Sequence, residues 1–338
     1  MKPAVIDRIR AVWPFLIWLL LFYLLWTTLV TALRAWSVVA GHWPISLTML
    51  FGSYVAGATP MGGGTVAFPV LVLVFDHPGS LGCHFALAIQ SVGMVSASIY
   101  ILSTRKPVIW PALKPTMFGS LVGTPIGTYF VAPIIPDLWV KLTFAVVWAA
   151  FGIMHLIKLR ELVRMHRTNA IPPTSFRTVF FLVGVAGGLL ASITGVGIDM
   201  MVYAILVLYF REDLKTAIPT SVIVMAFTSL VGIATNIAFH QLYPDRFSID
   251  PLFFENWLAA APVVAVGAPL GAFVVSLIPR TPTLVFVSML CLIQFGSTII
   301  HERVTGTLLA LTLTALAAMN LVFHLLYVSG TRMMQEER

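Results

Sequence analysis

The sequence predicts an all-α polytopic membrane protein, an inverted repeat of two helical halves. Three observations lead to this fold class. Of 338 residues, 59% are hydrophobic and 10% are charged, whereas soluble proteins are roughly half apolar and a quarter charged. The apolar residues fall in runs of about 18 to 30, the length that crosses a bilayer. Two runs are broken near their middle by glycines, at similar places in each half.

Ten apolar runs follow one another along the chain. The first, 11–33, follows three basic residues and is too long for the apolar part of a signal peptide, so we expect it to remain as a membrane helix. The others cover 47–75, 84–103, 112–133, 139–157, 178–210, 216–239, 256–278, 283–300 and 304–328. A basic linker, 158–177, divides the chain into a first half, 1–157, and a second half, 178–338.

Two of these runs cannot be simple membrane helices. The run 47–75 is interrupted by ATPMGGG at 58–64, and the run 178–210 by SITGVG at 192–197. The piece after each break is about a dozen residues, or roughly 18 Å of helix, which is about half of the hydrocarbon core. Each run is therefore either a broken span or a re-entrant hairpin.

The distribution of basic residues favours two hairpins, because Lys and Arg prefer cytoplasmic loops. With two hairpins and an inside N-terminus, sixteen of the twenty Lys and Arg lie in cytoplasmic segments. With two full crossings, the better orientation gives eleven against nine. We therefore predict eight transmembrane helices plus two re-entrant hairpins, with both termini cytoplasmic, in a bacterial inner membrane. The basic residues left outside are Arg34, Lys141, Arg246 and Arg303.

Paired motifs indicate that the two halves are repeats. GATPMGGG at 57–64 resembles GLLASITGVG at 188–197, and each is followed by a short apolar stretch. Later, GTPIGT at 123–128 resembles GAPLGA at 267–272. Because the first hairpin enters from outside and the second from inside, the repeat is inverted. For the glycines of the later motif, close helix packing is the favoured interpretation.

The hairpin breaks predict an anion site near the membrane midplane. Each second half-helix begins at a break, so its unpaired amides and partial positive charge face the midplane. No Lys or Arg lies well inside an apolar run, so these amides and nearby polar side chains would hold the anion. The predicted substrate-binding residues are Gly62, Gly63, Gly64, Thr65, Gln90, Ser91, Ser192, Thr194, Gly195, Val196 and Gly197. For Gln90 and Ser91, a satisfied interhelical hydrogen bond is the favoured interpretation, and for the glycines of the breaks close packing remains an alternative.

Asp199 is the one carboxylate well within an apolar run. An acid in the membrane is costly and is therefore a functional hypothesis by default. Beside an anion site, it would have to be protonated or compete with the anion, so it is the candidate for proton coupling. The alternative is that it caps the amides of its own half-helix.

The duplicated pattern of a glycine break, a short apolar half-helix and a later Gly-x-Pro-x-Gly span resembles the TauE/SafE family of sulfite exporters over residues 47–300. The resemblance implies a secondary transporter that exports sulfite or a small organosulfonate. Its partners would be that sulfur-containing anion and the lipid bilayer, with homo-oligomerisation left open. Val196 replaces a glycine often expected there, Asp199 departs from the pattern, and no proline stands opposite Pro69.

Two other function classes remain as alternatives. One is a membrane-embedded sulfur or redox enzyme that uses Cys83 and Cys291, and the other is an anion channel. The two cysteines have no metal spacing, and Cys83 with His84 makes at most half a metal site. Neither a cofactor nor a nucleotide-binding loop is indicated. Nucleic-acid binding is excluded, because the basic residues lie in the breaks between apolar runs.

Overall fold

The protein is helical throughout the part of the chain that the structure describes. A computed structural model describes residues 3–164, 176–274, 277 and 280–336. Within these ranges every regular element is a helix, which confirms the predicted fold class. The helices are α1 (Pro3–Ala32), α2 (Trp36–Gly41), α3 (Trp43–Ala58), α4 (Gly64–Pro69), α5 (Gly79–Ser103), α6 (Trp110–Ile126), α7 (Asp137–Arg164), α8 (Arg177–Thr194), α9 (Ile198–Ala204), α10 (Leu214–Leu242), α11 (Leu252–Val274), α12 (Arg280–His301) and α13 (Gly306–Glu336).

Nine segments of the described chain are long and apolar enough to cross a membrane. They comprise α1, α5, α6, α7, α8, α10, α11, α12 and α13. The protein is therefore a multi-pass membrane protein. Since α8 is the first arm of the second hairpin, the other eight agree with the predicted crossings.

Both glycine-broken runs fold back on themselves. In the first hairpin, α3 is followed by a break and then by α4, which continues as a π-helix over Val70–Val74. In the second hairpin, α8 is followed by a break and then by α9, which continues as a π-helix over Ile205–Tyr209. The ring of Phe176, just before α8, lies 5.0 Å from the ring of Phe210, just after the π-helix. Both ends of the second hairpin are therefore on the same side.

The backbones of the two hairpins show the same irregularities in the same order. Gly62 and Gly195 have positive φ angles of 67° and 78° at the two breaks. Each π-helical turn is followed two residues later by a left-handed residue, Asp76 with φ 56° and Arg211 with φ 55°. The side chains at these positions differ between the two hairpins, but the backbone features are the same. They therefore support the predicted repeat.

Each half packs one of its helices against the hairpin of the other half. Helix α6 of the first half packs on α8 of the second, and α11 of the second half packs on α3 of the first. A Cβ on Gly123 would lie 2.1 Å from the carbonyl oxygen of Val185, and a Cβ on Gly271 would lie 2.2 Å from that of Tyr54. Only glycine allows such close approach, so the packing interpretation of the Gly-x-Pro-x-Gly motifs is confirmed.

Contacts near the helix ends join segments that were predicted to lie on the same side. On the predicted outer side, Lys141 Nζ donates to Glu302 at 2.8 Å. On the predicted inner side, Lys106 Nζ donates to the carbonyl of Ala272 at 2.8 Å, and Arg211 contacts the C-terminal helix α13. Which of the two faces is cytoplasmic stays a prediction.

Several helix boundaries differ from the sequence expectation, and two of them, in α7 and α5, have a contact that accounts for the difference. Helix α7 continues to Arg164, so the start of the predicted linker is helical, with Lys158 pairing with Glu161 at 3.5 Å. The rest of that linker, 165–175, lies outside the described residues. Helix α5 begins at Gly79 rather than at 84, because the Asp137 carboxylate accepts a hydrogen bond from the Gly79 amide.

Candidate functional site

The tips of the two hairpins meet against one face of α5. Gln90 Nε2 donates to the carbonyl of Gly195 at 2.8 Å and to that of Ala86 at 2.9 Å. A Cβ on Gly64 would lie 2.6 Å from Cγ1 of Val196. The first break therefore packs directly on the second, and Gln90 ties the second break to α5.

Two buried oxygens without partners converge at this junction. They are Gln90 Oε1 and Asp199 Oδ2, and neither has a hydrogen-bond partner among the described residues. A Cβ on Gly62 would lie 2.3 Å from the first and 3.0 Å from the second. A buried polar atom without a partner costs about 1–3 kcal/mol. The junction is therefore built to receive a donor, either a proton on the carboxylate or a group on a ligand.

The second oxygen of Asp199 has a structural role. Asp199 Oδ1 accepts hydrogen bonds from the amides of Gly197 at 3.2 Å and Met200 at 3.0 Å. Capping is thus confirmed for this oxygen, while Oδ2 faces the first hairpin. Consequently a carboxylate already occupies part of the amide site that the second half-helix offers.

No side-chain carboxylate caps the amides at the start of the first half-helix in the described part of the chain. The amides of Thr65, Val66 and Ala67 donate to backbone carbonyls at 3.4, 3.3 and 3.2 Å. For the amides of residues 62–64, no acceptor is recorded among the described residues. The first break therefore offers donors, whereas the second offers a carboxylate.

The predicted hydroxyls lie near the tips but bond to backbone. Thr65 Oγ1 donates to the Met61 carbonyl and accepts from Trp148 Nε1 at 2.7 Å. Thr194 Oγ1 donates to the carbonyl of Val196 at 2.8 Å. Ser192 Oγ donates to Leu189.

Three predicted site residues make no direct contact across the junction of the two tips. Ser91 is half-buried and its hydroxyl donates to Ala88 of its own helix. Gly63 makes ordinary contacts within the first half, and Gly197, with φ 116°, packs on Leu190. The residues that the structure brings to the junction itself are Gly62, Gly64, Gln90, Gly195, Val196 and Asp199.

The junction is closed in this structure. The cavity beside it has a volume of about 10 Å³ and is lined by Gly63 and Gln90 among others. That is room for about one water molecule. A larger anion requires the two tips to separate.

Comparison with known proteins places this architecture in a family. The family model described as Sulfite exporter TauE/SafE matches residues 45–296, most of the chain. The chain belongs to the TauE/SafE family. The family is one of transporters, and the match covers both hairpins and both Gly-x-Pro-x-Gly helices. No curated protein and no solved structure matches the chain.

The run 139–157 was predicted as a membrane helix, but its contacts with both hairpins of this TauE/SafE protein were missed. Helix α7 carries Trp148, which donates to Thr65 of the first hairpin. Two turns later it carries His155, whose Nε2 lies 3.0 Å from the Tyr203 hydroxyl of the second hairpin. No local pattern in the sequence distinguishes Trp148 or His155 from a side chain that faces lipid.

The two cysteines of this family member lie in different packing environments. Cys83 Sγ is 3.4 Å from the Ser192 carbonyl on α8, whereas Cys291 packs against Gly152 on α7. Both are free and buried. Within the described residues, no group of three or more His, Cys, Asp or Glu could hold a metal ion.

Proposed function

We propose that the protein is a secondary transporter that exports sulfite, or a small organosulfonate, by binding it between the two hairpin tips together with a proton. The proposal rests mainly on one observation. Two buried oxygens without hydrogen-bond partners among the described residues, Gln90 Oε1 and Asp199 Oδ2, both lie next to Gly62. Membership of the sulfite exporter family supports the substrate class.

The first hairpin supplies the attraction for the anion. The amides at residues 62–64 stand at the start of the half-helix Gly64–Val74, where the partial positive charge of the helix dipole is concentrated. Gly62 and Gly64 have no Cβ to keep the ligand away. An oxyanion at this point would accept from these amides while no Lys or Arg has to be buried.

The second hairpin supplies the carboxylate that would couple anion binding to proton binding. An ionised Asp199 would repel an anion held at the first tip, because Asp199 Oδ2 faces Gly62. Protonation removes that repulsion and turns the oxygen into a hydrogen-bond donor. Binding of the anion and of the proton are therefore mutually favourable, so a gradient of one can drive movement of the other.

Transport requires the tips to part and to open alternately to each side. The two tips are in direct contact, and the cavity beside the junction, of about 10 Å³, has no space for a sulfite ion. In transporters built from inverted repeats, such opening occurs when one repeat moves against the other. The exchange of α6 and α11 between the halves provides the surfaces on which this movement would occur.

The test is counterflow in proteoliposomes of the purified protein. Uptake of radiolabelled sulfite is measured after loading with unlabelled sulfite, sulfate or a small sulfonate, with protein-free liposomes as the control. We expect accelerated uptake with sulfite or the sulfonate inside and little with sulfate. Absence of counterflow with every anion would overturn the carrier proposal. A large ionic current without counterflow would instead identify a channel.

The cysteine alternative has its own control. A protein with both Cys83 and Cys291 changed to Ser should retain counterflow, because the proposed binding uses no thiol chemistry and a serine hydroxyl can keep the contact of Cys83 with the Gly195 backbone. Loss of counterflow in this well-folded variant would favour the sulfur or redox enzyme.

A further inference from the structure

A second polar cavity lies on the predicted outer side, above the tip of the second hairpin. Its volume is about 310 Å³. It is bounded by the outer ends of α5, α6 and α10, by the end of α8 and by the loop that contains Arg246. Its polar lining includes Cys83, His84, Thr128, Ser192, Asn236 and Arg246. We call this cavity the outer vestibule.

Arg246 is held in place at the wall of the outer vestibule. Its Nη2 donates to the carbonyl of Tyr129 at 3.0 Å. Its guanidinium carbon lies 4.5 Å from the centre of the Tyr129 ring and 5.3 Å from that of Phe247. A guanidinium has five N–H donors, and among the described residues a hydrogen bond from only one of its nitrogens is recorded. Arg246 is therefore a preorganised cation with donors to spare.

Thr128 lines the same cavity and carries an unpartnered hydroxyl. The residue is 3% exposed, and its Oγ1 has no hydrogen-bond partner among the described residues. Other threonines in these helices, such as Thr116 and Thr228, donate to the carbonyl four residues earlier. Thr128 lies in a π-helical turn, Gly127–Val131, and such turns occur frequently at functional sites. A buried hydroxyl without a partner, on a residue that lines a polar cavity, points to a ligand that draws it into a hydrogen bond.

The acidic and titratable groups of the vestibule are already engaged. The carboxylate of Asp137 accepts from the Gly79 amide and pairs with Lys141 at 3.0 Å. His84 shares a side-chain hydrogen bond with Asn236. The vestibule therefore presents an oriented guanidinium and neutral donors, while its one carboxylate is paired with a cation.

The floor of the vestibule connects it to the hairpin junction. Ser192 and Cys83 line it, and a Cβ on Gly195 would lie 2.7 Å from the Cys83 carbonyl. Gly195 in turn accepts from Gln90. A ligand leaving the junction towards this side would enter the vestibule directly.

We propose that the outer vestibule is a second anion-binding site, where a small oxyanion such as sulfite is held by Arg246 and the Thr128 hydroxyl on the outer side of the hairpin junction. Its position rests on the proposed transport path, but its binding chemistry does not. Arginine binds planar and pyramidal oxyanions through several N–H groups at once. The site also explains why a basic residue is kept on the side where basic residues are otherwise few.

The test is equilibrium binding of radiolabelled sulfite to the purified full-length protein. The variants are Arg246→Asn and Thr128→Val, with Arg303→Asn as the matched control. Arg303 is exposed on the same side and does not line the vestibule, and asparagine tolerates its left-handed φ of 49°. We expect Arg246→Asn and Thr128→Val to raise the half-saturating sulfite concentration by roughly tenfold, equivalent to about 1.4 kcal/mol. Arg303→Asn should leave it unchanged.

Two further measurements distinguish a loss of binding from a loss of folding and the vestibule from the junction. Thr128→Val should not lower the melting temperature, because the hydroxyl it removes has no partner. In a Gly62→Ala background, where binding at the junction is expected to be lost, the Arg246-dependent binding should persist, which separates this site from the junction even if transport of sulfite were not found. Identical binding curves for wild type, Arg246→Asn and Thr128→Val would overturn the proposal, as would an equal effect of Arg303→Asn.

Discussion

The two hairpins share a backbone but differ in their chemistry. Both have a positive-φ glycine at the break and a π-helical turn near the end. In the first, the amides at residues 62–64 have no recorded acceptor within the described part of the chain. In the second, Asp199 caps the amides of Gly197 and Met200. In the proposed function, this shared backbone gives one tip that binds the anion and another that binds the proton, and separate substitutions can test each assignment.

The largest effect is expected from Asp199→Asn. Asparagine keeps an oxygen to accept from the Gly197 and Met200 amides, so the hairpin should remain folded. It cannot take up a proton, so sulfite uptake driven by a pH gradient should fall to the level of protein-free liposomes. Counterflow of sulfite, which needs no net proton movement, should persist.

That result would assign proton binding to the second hairpin tip and anion binding to the first. Full gradient-driven uptake in Asp199→Asn would show that the carboxylate is only a helix cap, and the contrast between the hairpins would then be structural alone.

Gly62→Ala tests the close approach at the first tip. The new Cβ would lie 2.3 Å from Gln90 Oε1, at a φ of 67°, so we expect a loss of about 1–3 kcal/mol in unfolding free energy and loss of counterflow. The matched control is Gly63→Ala, whose nearest neighbours are at 3.6 Å. Equal melting temperatures and transport for both variants would contradict the closed junction.

Gln90→Leu tests the tie between α5 and the second tip. It removes the hydrogen bond to Gly195 and the unpartnered oxygen, so the half-saturating sulfite concentration in counterflow should rise roughly tenfold. Ser91→Ala serves as the control, because the Ser91 hydroxyl bonds only within its own helix. A larger effect of Ser91→Ala than of Gln90→Leu would place the site on the other face of α5.

The smallest effects are expected where α7 holds the two hairpins. Trp148→Phe removes the hydrogen bond to Thr65, and Tyr203→Phe removes the one to His155. Tyr203→Phe should lower the free energy of unfolding by about 1 kcal/mol, measured by thermal melting in detergent. Trp148→Phe should lower it by more, because it also leaves a cavity where a fully buried indole stood. A fall in counterflow much greater than the fall in stability would assign a transport role to that hydrogen bond.

Much of the site could be predicted because glycine breaks and a membrane-embedded acid are rare and costly features. Gly62, Gly195 and Asp199 were identified from the sequence for that reason. Trp148 and His155 could not be, because a Trp or His inside an apolar run looks the same whether it packs against lipid or donates to a neighbouring helix. Arg246 was visible only as a basic residue on the less basic side.

The sequence alone determined that the protein is helical, membrane-spanning and duplicated, because run length, charge distribution and glycine breaks are local properties of the chain. It also determined which family the chain resembles. Only the tertiary structure decided that α6 and α11 are exchanged between the halves, that Gln90 and Asp199 meet over Gly62, and that Arg246 and Thr128 share a cavity. These are contacts between residues far apart in the chain, which depend on how helices pack, and no local pattern encodes the distance between two side chains.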